Sequence, residues 1–112
     1  MKPEILEDLR ERTVKNFMDL LILAELNNSH VMSGYDVISF IHKKFHILMS
    51  SGTVYSVMYS LERNGLVEGR WNGKKRVYKL TNKGEETIKT IVNAHEKIQN
   101  VLATVLKQSL KM

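Results

Sequence analysis

A chain of 112 residues with 43% hydrophobic and 26% charged content has room for one domain with a modest core and is too apolar to be disordered. With 17 basic and 12 acidic residues it carries a net charge of +5, a basic excess that favours polyanionic partners without selecting one. The absence of cysteine removes disulfides, thiolate metal sites and cysteine nucleophiles, and no apolar run approaches the roughly 18 residues of a membrane span. Residues 1–12 are acidic and amphipathic rather than basic and then apolar, which is not a signal peptide, so the expected location is the cytoplasm, with no membrane partner.

Taken in chain order, Pro3 suits the first turn of a helix in which Ile5, Leu6 and Leu9 recur at helical spacing. The next apolar face is broad (Val14, Phe17, Met18, Leu21, Ile22, Leu26), and the two helices can be continuous. Asn27 to His30 breaks the pattern. Ser33 to Asp36 then reads as a capping-box start, with Val37, Ile38, Phe40 and Ile41 following in a helix to about Lys44. Ser50 and Ser51 open another helix whose inward stripe is Val54, Val57, Met58 and Leu61, and Asn64 or Gly65 can end it in the left-handed conformation. Two strand signals follow, Leu66 to Trp71 and Lys74 to Leu80. Asn72-Gly73 between them implies a type I′ hairpin turn. Thr81 or Asn82 caps the last helix, with Glu85 and Glu86 at its positive end.

That last helix is expected over about 82–110, where no glycine or proline occurs after Gly84. Ile88, Ile91, His95, Ile98, Leu102 and Val105 alternate at spacings of three and four, a heptad-like seam. One continuous helix of this length would span roughly 40 Å and project from a small domain, so its apolar seam needs a partner.

Three helices followed at once by a two-stranded hairpin form the order of a winged helix-turn-helix: mainly α with a small β-hairpin (α+β), and a long C-terminal dimerisation helix. The expected division is 1–81 for the winged unit with its N-terminal helix and 82–112 for the association helix. In such a unit the third helix, about 51–63, enters the major groove of double-stranded DNA, and the wing, about 66–80, lies on the backbone or minor groove. A helix entering a groove about 12 Å wide is best kept slim. With the apolar stripe turned inward, Ser51, Thr53, Tyr55, Ser56, Tyr59 and Ser60 face outward, and their hydroxyls can bond phosphates or base edges. Six basic residues and no acidic one lie between Arg70 and Lys83, so phosphate attraction falls to the wing, chiefly to Lys74, Lys75 and Arg76, with Lys79 as a further candidate.

Each feature alone has a plainer reading. The hydroxyl-rich face can be an ordinary solvated surface, the basic tip can protect an edge strand, and Tyr78, Leu80 and Trp71 are expected to pack. Helix order, hairpin position and charge segregation agree, however, and that agreement favours DNA binding. A winged-helix protein-interaction module without specific DNA binding is the alternative; such modules lose the basic wing. A basic amphipathic membrane binder is disfavoured because the charges sit on a hairpin rather than a helix.

From about Leu20 to Glu85 the chain resembles the PadR family of bacterial and archaeal transcriptional regulators. Gly34 and Tyr35 match its Gly-Tyr pair, and Gly52, Thr53, Val54 and Tyr55 its Gly-Thr-aliphatic-Tyr helix start. Leu61, Glu62, Gly65 and Leu66 match the step into the wing, and Tyr78, Leu80, Thr81 and Gly84 the exit. Ser56 stands where the family often has proline, and the wing is shorter than is common there. The resemblance implies a homodimeric DNA-binding regulator, usually a repressor, with the C-terminal helix forming much of the dimer interface. It places Tyr35 among the DNA-facing residues and leaves room for a small-molecule effector of unspecified identity.

Catalysis is not indicated: no phosphate loop, carboxylate pair or metal-ligand spacing appears, and no cofactor is implied. His42 and His46, four apart, lack a third ligand and read as surface or half-buried histidines. His95 reads as a tolerated polar residue of the seam, with a pH-sensitive interface as the other reading. The expected target is a pseudo-palindromic operator bound by a two-fold dimer.

Overall fold

The structure is a computed structural model that describes residues 4–110, so the helix start expected at Pro3 lies outside the described residues. Helix α1 (Glu4–Asn16) is parted from α2 (Met18–Ser29) by a kink at Phe17, where φ is −106° and ψ 22°. The amide of Phe17 still donates to the Thr13 carbonyl at 3.0 Å, so the chain bends there without leaving the helical path. Helix α2 buries Met18, Ile22, Leu23 and Leu26, one face of the helix, at the centre of the core.

After α2 come β1 (Met32–Ser33) and α3 (Gly34–Phe45). The expected capping box is formed in full: the Asp36 amide donates to Ser33 Oγ at 3.1 Å, and the Ser33 amide donates to Asp36 Oδ2 at 2.9 Å. Helix α3 ends at His46 in the left-handed region (φ 60°). Helix α4 (Ser51–Arg63) is capped by Ser50, whose hydroxyl accepts from the Thr53 amide at 3.2 Å. Its C-terminus closes on Gly65 at φ 75°, with Gly65 N–H donating to the Glu62 carbonyl and Leu66 N–H to the Leu61 carbonyl, both at 3.0 Å. Those two bonds make a Schellman motif, which needs a residue free to take positive φ.

Strands β2 (Val67–Asn72) and β3 (Lys75–Leu80) pair antiparallel, from Val67 opposite Leu80 to Asn72 opposite Lys75. The turn therefore holds Gly73 and Lys74, not Asn72 and Gly73. Only Gly73 of that pair has positive φ (66°), which is the type II′ pattern rather than the expected I′. Strand β1 pairs with the free edge of β3, Met32 opposite Tyr78, so the sheet has three strands in the order β1-β3-β2 instead of two.

Thr81 is the cap of α5 (Asn82–Asn93), its hydroxyl accepting from Gly84 N–H at 3.1 Å. The single helix expected over 82–110 is interrupted: α6 (His95–Ser109) begins beyond Ala94, where φ is −105° and ψ 10°. The His95 ring Nδ1–H donates to the Val92 carbonyl at 2.8 Å, giving a partner to a backbone acceptor at the break.

The core joins α2 to Val37 and Ile41 of α3, Val54, Met58 and Leu61 of α4, Val67 and Tyr78 of the sheet, and Ile88 of α5. No residue of α6 is buried, and the molecule measures 60 × 33 × 21 Å. No helix among the described residues is long and apolar enough to cross a membrane.

Candidate nucleic-acid interface

Helix α4 separates its faces as its periodicity requires. Val54, Met58 and Leu61 are buried and Val57 is partly buried, while Ser51, Thr53, Tyr55, Ser56 and Tyr59 are exposed; Ser60, expected outward, is partly buried. The Thr53 hydroxyl lies 2.8 Å from Ser50 Oγ, so it is shared with the helix cap. The Arg63 guanidinium stands over the Tyr59 ring at 5.6 Å, which steadies an otherwise exposed aromatic.

Tyr55 is held from the side by α3. A Cβ built on Gly34 would lie 2.5 Å from the tip of the Tyr55 ring, so the ring occupies the space a side chain there would take. Tyr35, the next residue of α3, is 73% exposed. Asp36 follows, its carboxyl held below the usual value of 3.8 by the Ser33 amide first, with the Ser33 hydroxyl and the charge of Lys75 adding against partial desolvation. The start of α3 thus lies against Tyr55 of α4, and the charge of Lys75 in the wing reaches it without forming an ion pair.

The basic cluster of the wing is less free than its composition implies. Lys79 pairs with Glu68 at 3.1 Å, its direct cross-strand neighbour, and Arg70 approaches the same carboxylate at 3.9 Å. Lys83 Nζ donates to the Asn64 carbonyl at 2.9 Å, at the end of α4. Arg76 Nη2 donates to Glu62 Oε2 at 2.8 Å, with both side chains about two-thirds covered. Desolvation lowers the Arg76 pKa, but Glu62 and Tyr78 outweigh it and leave the guanidinium above its usual value. Lys74 and Lys75, at the turn, are exposed and form no ion pair among the described residues. The acidic partners lie just upstream of the basic window, at 62 and 68, and only the fold brings them in.

Trp71, expected to pack, is 67% exposed; one face meets the Arg76 guanidinium at 5.7 Å. Three participants were not legible as site residues: Gly34 beneath Tyr55, and Glu62 and Gly69 beside Arg76. A lone glycine inside a strand is the signal that marks Gly69, since it indicates close approach of another group.

Among the seam residues, Ile88 is 3% exposed and belongs to the core of its own chain, because α5 packs against α2. Ile91 is half-buried. Beyond the break His95 is exposed, and Ile98, Leu102 and Val105 are between 44% and 67% exposed. Val101 and Leu106 are exposed beside them, which completes an apolar face that no described residue covers.

The model of the "Transcriptional regulator PadR-like family" matches residues 22–90, more than half of the chain. The fold is similar to that of a PadR family transcriptional regulator from Eggerthella lenta, with a TM-score of 0.72, 21% identity and coverage of 97% of this chain and 95% of the other. A PadR family transcription regulator from Clostridium difficile has a TM-score of 0.70 at 20% identity, covering 80% of this chain and 98% of that one. Bacillus subtilis PadR, solved in complex with operator DNA, has a TM-score of 0.59 at 22% identity over 67% of this chain and 46% of its own. No curated protein sequence matches the chain.

Proposed function

Because the chain belongs to the PadR-like family of transcriptional regulators, we propose that it is a homodimeric, sequence-specific repressor that reads double-stranded DNA with α4 in the major groove. The observation that carries this reading is the convergence at the start of α3. There the Tyr55 ring packs on Gly34, Tyr35 is exposed beside it, and the charge of Lys75 reaches Asp36. Exposed hydroxyls on a slim helix are suited to base edges and sugar-phosphate, and two unpaired lysines at a turn are suited to the backbone beside them. The complex of Bacillus subtilis PadR with operator DNA supports the assignment by its fold.

Dimerisation falls to α6, whose face of Ile98, Val101, Leu102, Val105 and Leu106 is uncovered, with His95 and Ile91 at its near end. Exposed Ile5, Leu6 and Leu9 give α1 a second uncovered apolar face. The winged unit, 1–81, is then joined to an association element, 82–112, anchored by Ile88 in the core. The site of action is the cytoplasm, and a small-molecule effector has its place where the association helices meet the winged unit.

Selection of bound duplexes from a random-sequence pool tests this reading. The expected product is a pseudo-palindrome with half-sites about one helical turn, roughly 34 Å, apart. A pool that shows no enrichment counts against sequence-specific recognition.

A further inference from the structure

Arg76 sits one pair from the tip of the wing yet directs its charge toward α4. One atom, Glu62 Oε2, accepts both the Arg76 Nη2–H at 2.8 Å and the Gly69 amide at 3.1 Å. Glu62 lies in the last turn of α4, Gly69 in β2 and Arg76 in β3, so a single carboxylate oxygen ties the proposed recognition helix to both strands of the wing. The guanidinium is flanked by Trp71 and Tyr78, each at 5.7 Å. It also needs Gly69 bare: a Cβ there would stand 2.7 Å from Arg76 Nη2.

We propose that Arg76 is a positioning residue for DNA binding rather than a phosphate contact. With Glu62 it fixes the wing to the end of α4, so that Lys74 and Lys75 meet the backbone at a set distance from the groove-facing residues of the helix. This rests on the DNA-binding reading above. With its charge offset by Glu62 at 2.8 Å, Arg76 attracts a phosphate less than an unpaired lysine does, and turning fully to the backbone would break that charge-assisted bond and leave Glu62 with the Gly69 amide alone. Lys74 and Lys75 give up no ion pair on binding. A wing already held in its bound pose also avoids the ordering cost that a loose hairpin would incur on the duplex.

The test compares variants matched in charge. Binding to a fluorescently labelled duplex taken from the random-pool selection is measured from 50 to 200 mM salt for the unaltered chain, Arg76→Gln, Lys75→Gln and Gly69→Ala. Each phosphate contact removed lowers the slope of log K against log salt by about 0.9. Lys75→Gln should lower the slope by that amount per half-site. Arg76→Gln should weaken binding about ten-fold, the scale of a lost charged hydrogen bond, with the slope retained. Gly69→Ala, which changes no charge and displaces only the guanidinium, should reproduce that loss and shift the emission of Trp71, the sole tryptophan. The proposal is overturned if Arg76→Gln lowers the slope as much as Lys75→Gln does. It is also overturned if Gly69→Ala binds as tightly as the unaltered chain or with a steeper slope, as a released phosphate contact would. Thermal unfolding of each variant separates these effects from loss of the fold, and the Arg76 and Lys75 pair decides the matter alone if Gly69→Ala unfolds. Absence of salt-dependent duplex binding by the unaltered chain would instead remove the DNA-binding reading, and this inference with it.

Discussion

The Tyr55 ring lies against Gly34 so closely that a Cβ at Gly34 would stand 2.5 Å from it. The obstructing atoms are the far end of a half-exposed side chain, which can swing aside, and alanine is favoured over glycine in a helix. Gly34→Ala should therefore cost less than about 1 kcal/mol in stability while weakening operator binding, because Tyr55 is moved from its pose. Urea unfolding and duplex titration, run on Gly34→Ala with and without Tyr55→Ala, check this. In the Tyr55→Ala background the glycine change should have little further effect on binding.

Gly84 presents the opposite case. A side chain there would collide with the backbone carbonyl of Leu66, which cannot swing aside without breaking the Thr81 amide bond to the same oxygen at 3.1 Å. Gly84→Ala should destabilise the fold by about 3 kcal/mol, measured as a lower urea midpoint with the same slope.

The capping box at the start of α3 makes stability depend on pH. The folded pKa of Asp36 lies below its ordinary 3.8, so its contribution is present above that value and is lost as pH falls through the folded pKa. Asp36→Ala should cost about 1 kcal/mol near pH 7 and progressively less under acid conditions. Denaturant unfolding at several pH values from 7 down to 2.5 would show the two curves converging. A cost that stays constant across that range would contradict the assignment.

The two ends of the expected seam should respond differently. Ile88 is a core residue, so Ile88→Ala should cost about 2–5 kcal/mol of stability. Leu102 is 67% exposed, so Leu102→Glu should leave the unfolding midpoint of the winged unit nearly unchanged and shift the chain from dimer to monomer in light scattering. Ending the chain at Asn93 should have the same effect on mass. A stable dimer in either variant would move the interface elsewhere.

Which features were legible follows from the range of their causes. The inward stripe of α4, the Ser33 box and the glycine end of α4 depend on residues within one or two turns, and local spacing exposes them. Strand β1 has two residues, too few for any periodic signal, and exists because β3 offers a free edge. The turn slid by one residue because pairing of Asn72 with Lys75 leaves Gly73 as the residue at positive φ. The break at Ala94 carries no glycine or proline to announce it. The pairing of Arg76 with Glu62 spans 14 residues and two elements, so composition showed a free basic wing where the fold has already engaged much of the charge.

Whether this chain holds DNA through the tip of its wing beside α4, as proposed, is read most directly from the salt dependence of duplex binding. The unaltered chain and a Lys74→Ala, Lys75→Ala double variant are compared from 50 to 200 mM salt. Binding by the unaltered chain should weaken steeply with salt, and the variant should show a slope lower by about 1.8 per half-site, from two lost phosphate contacts at about 0.9 each. Equal slopes for the two proteins, with folding intact in both, would contradict that proposal.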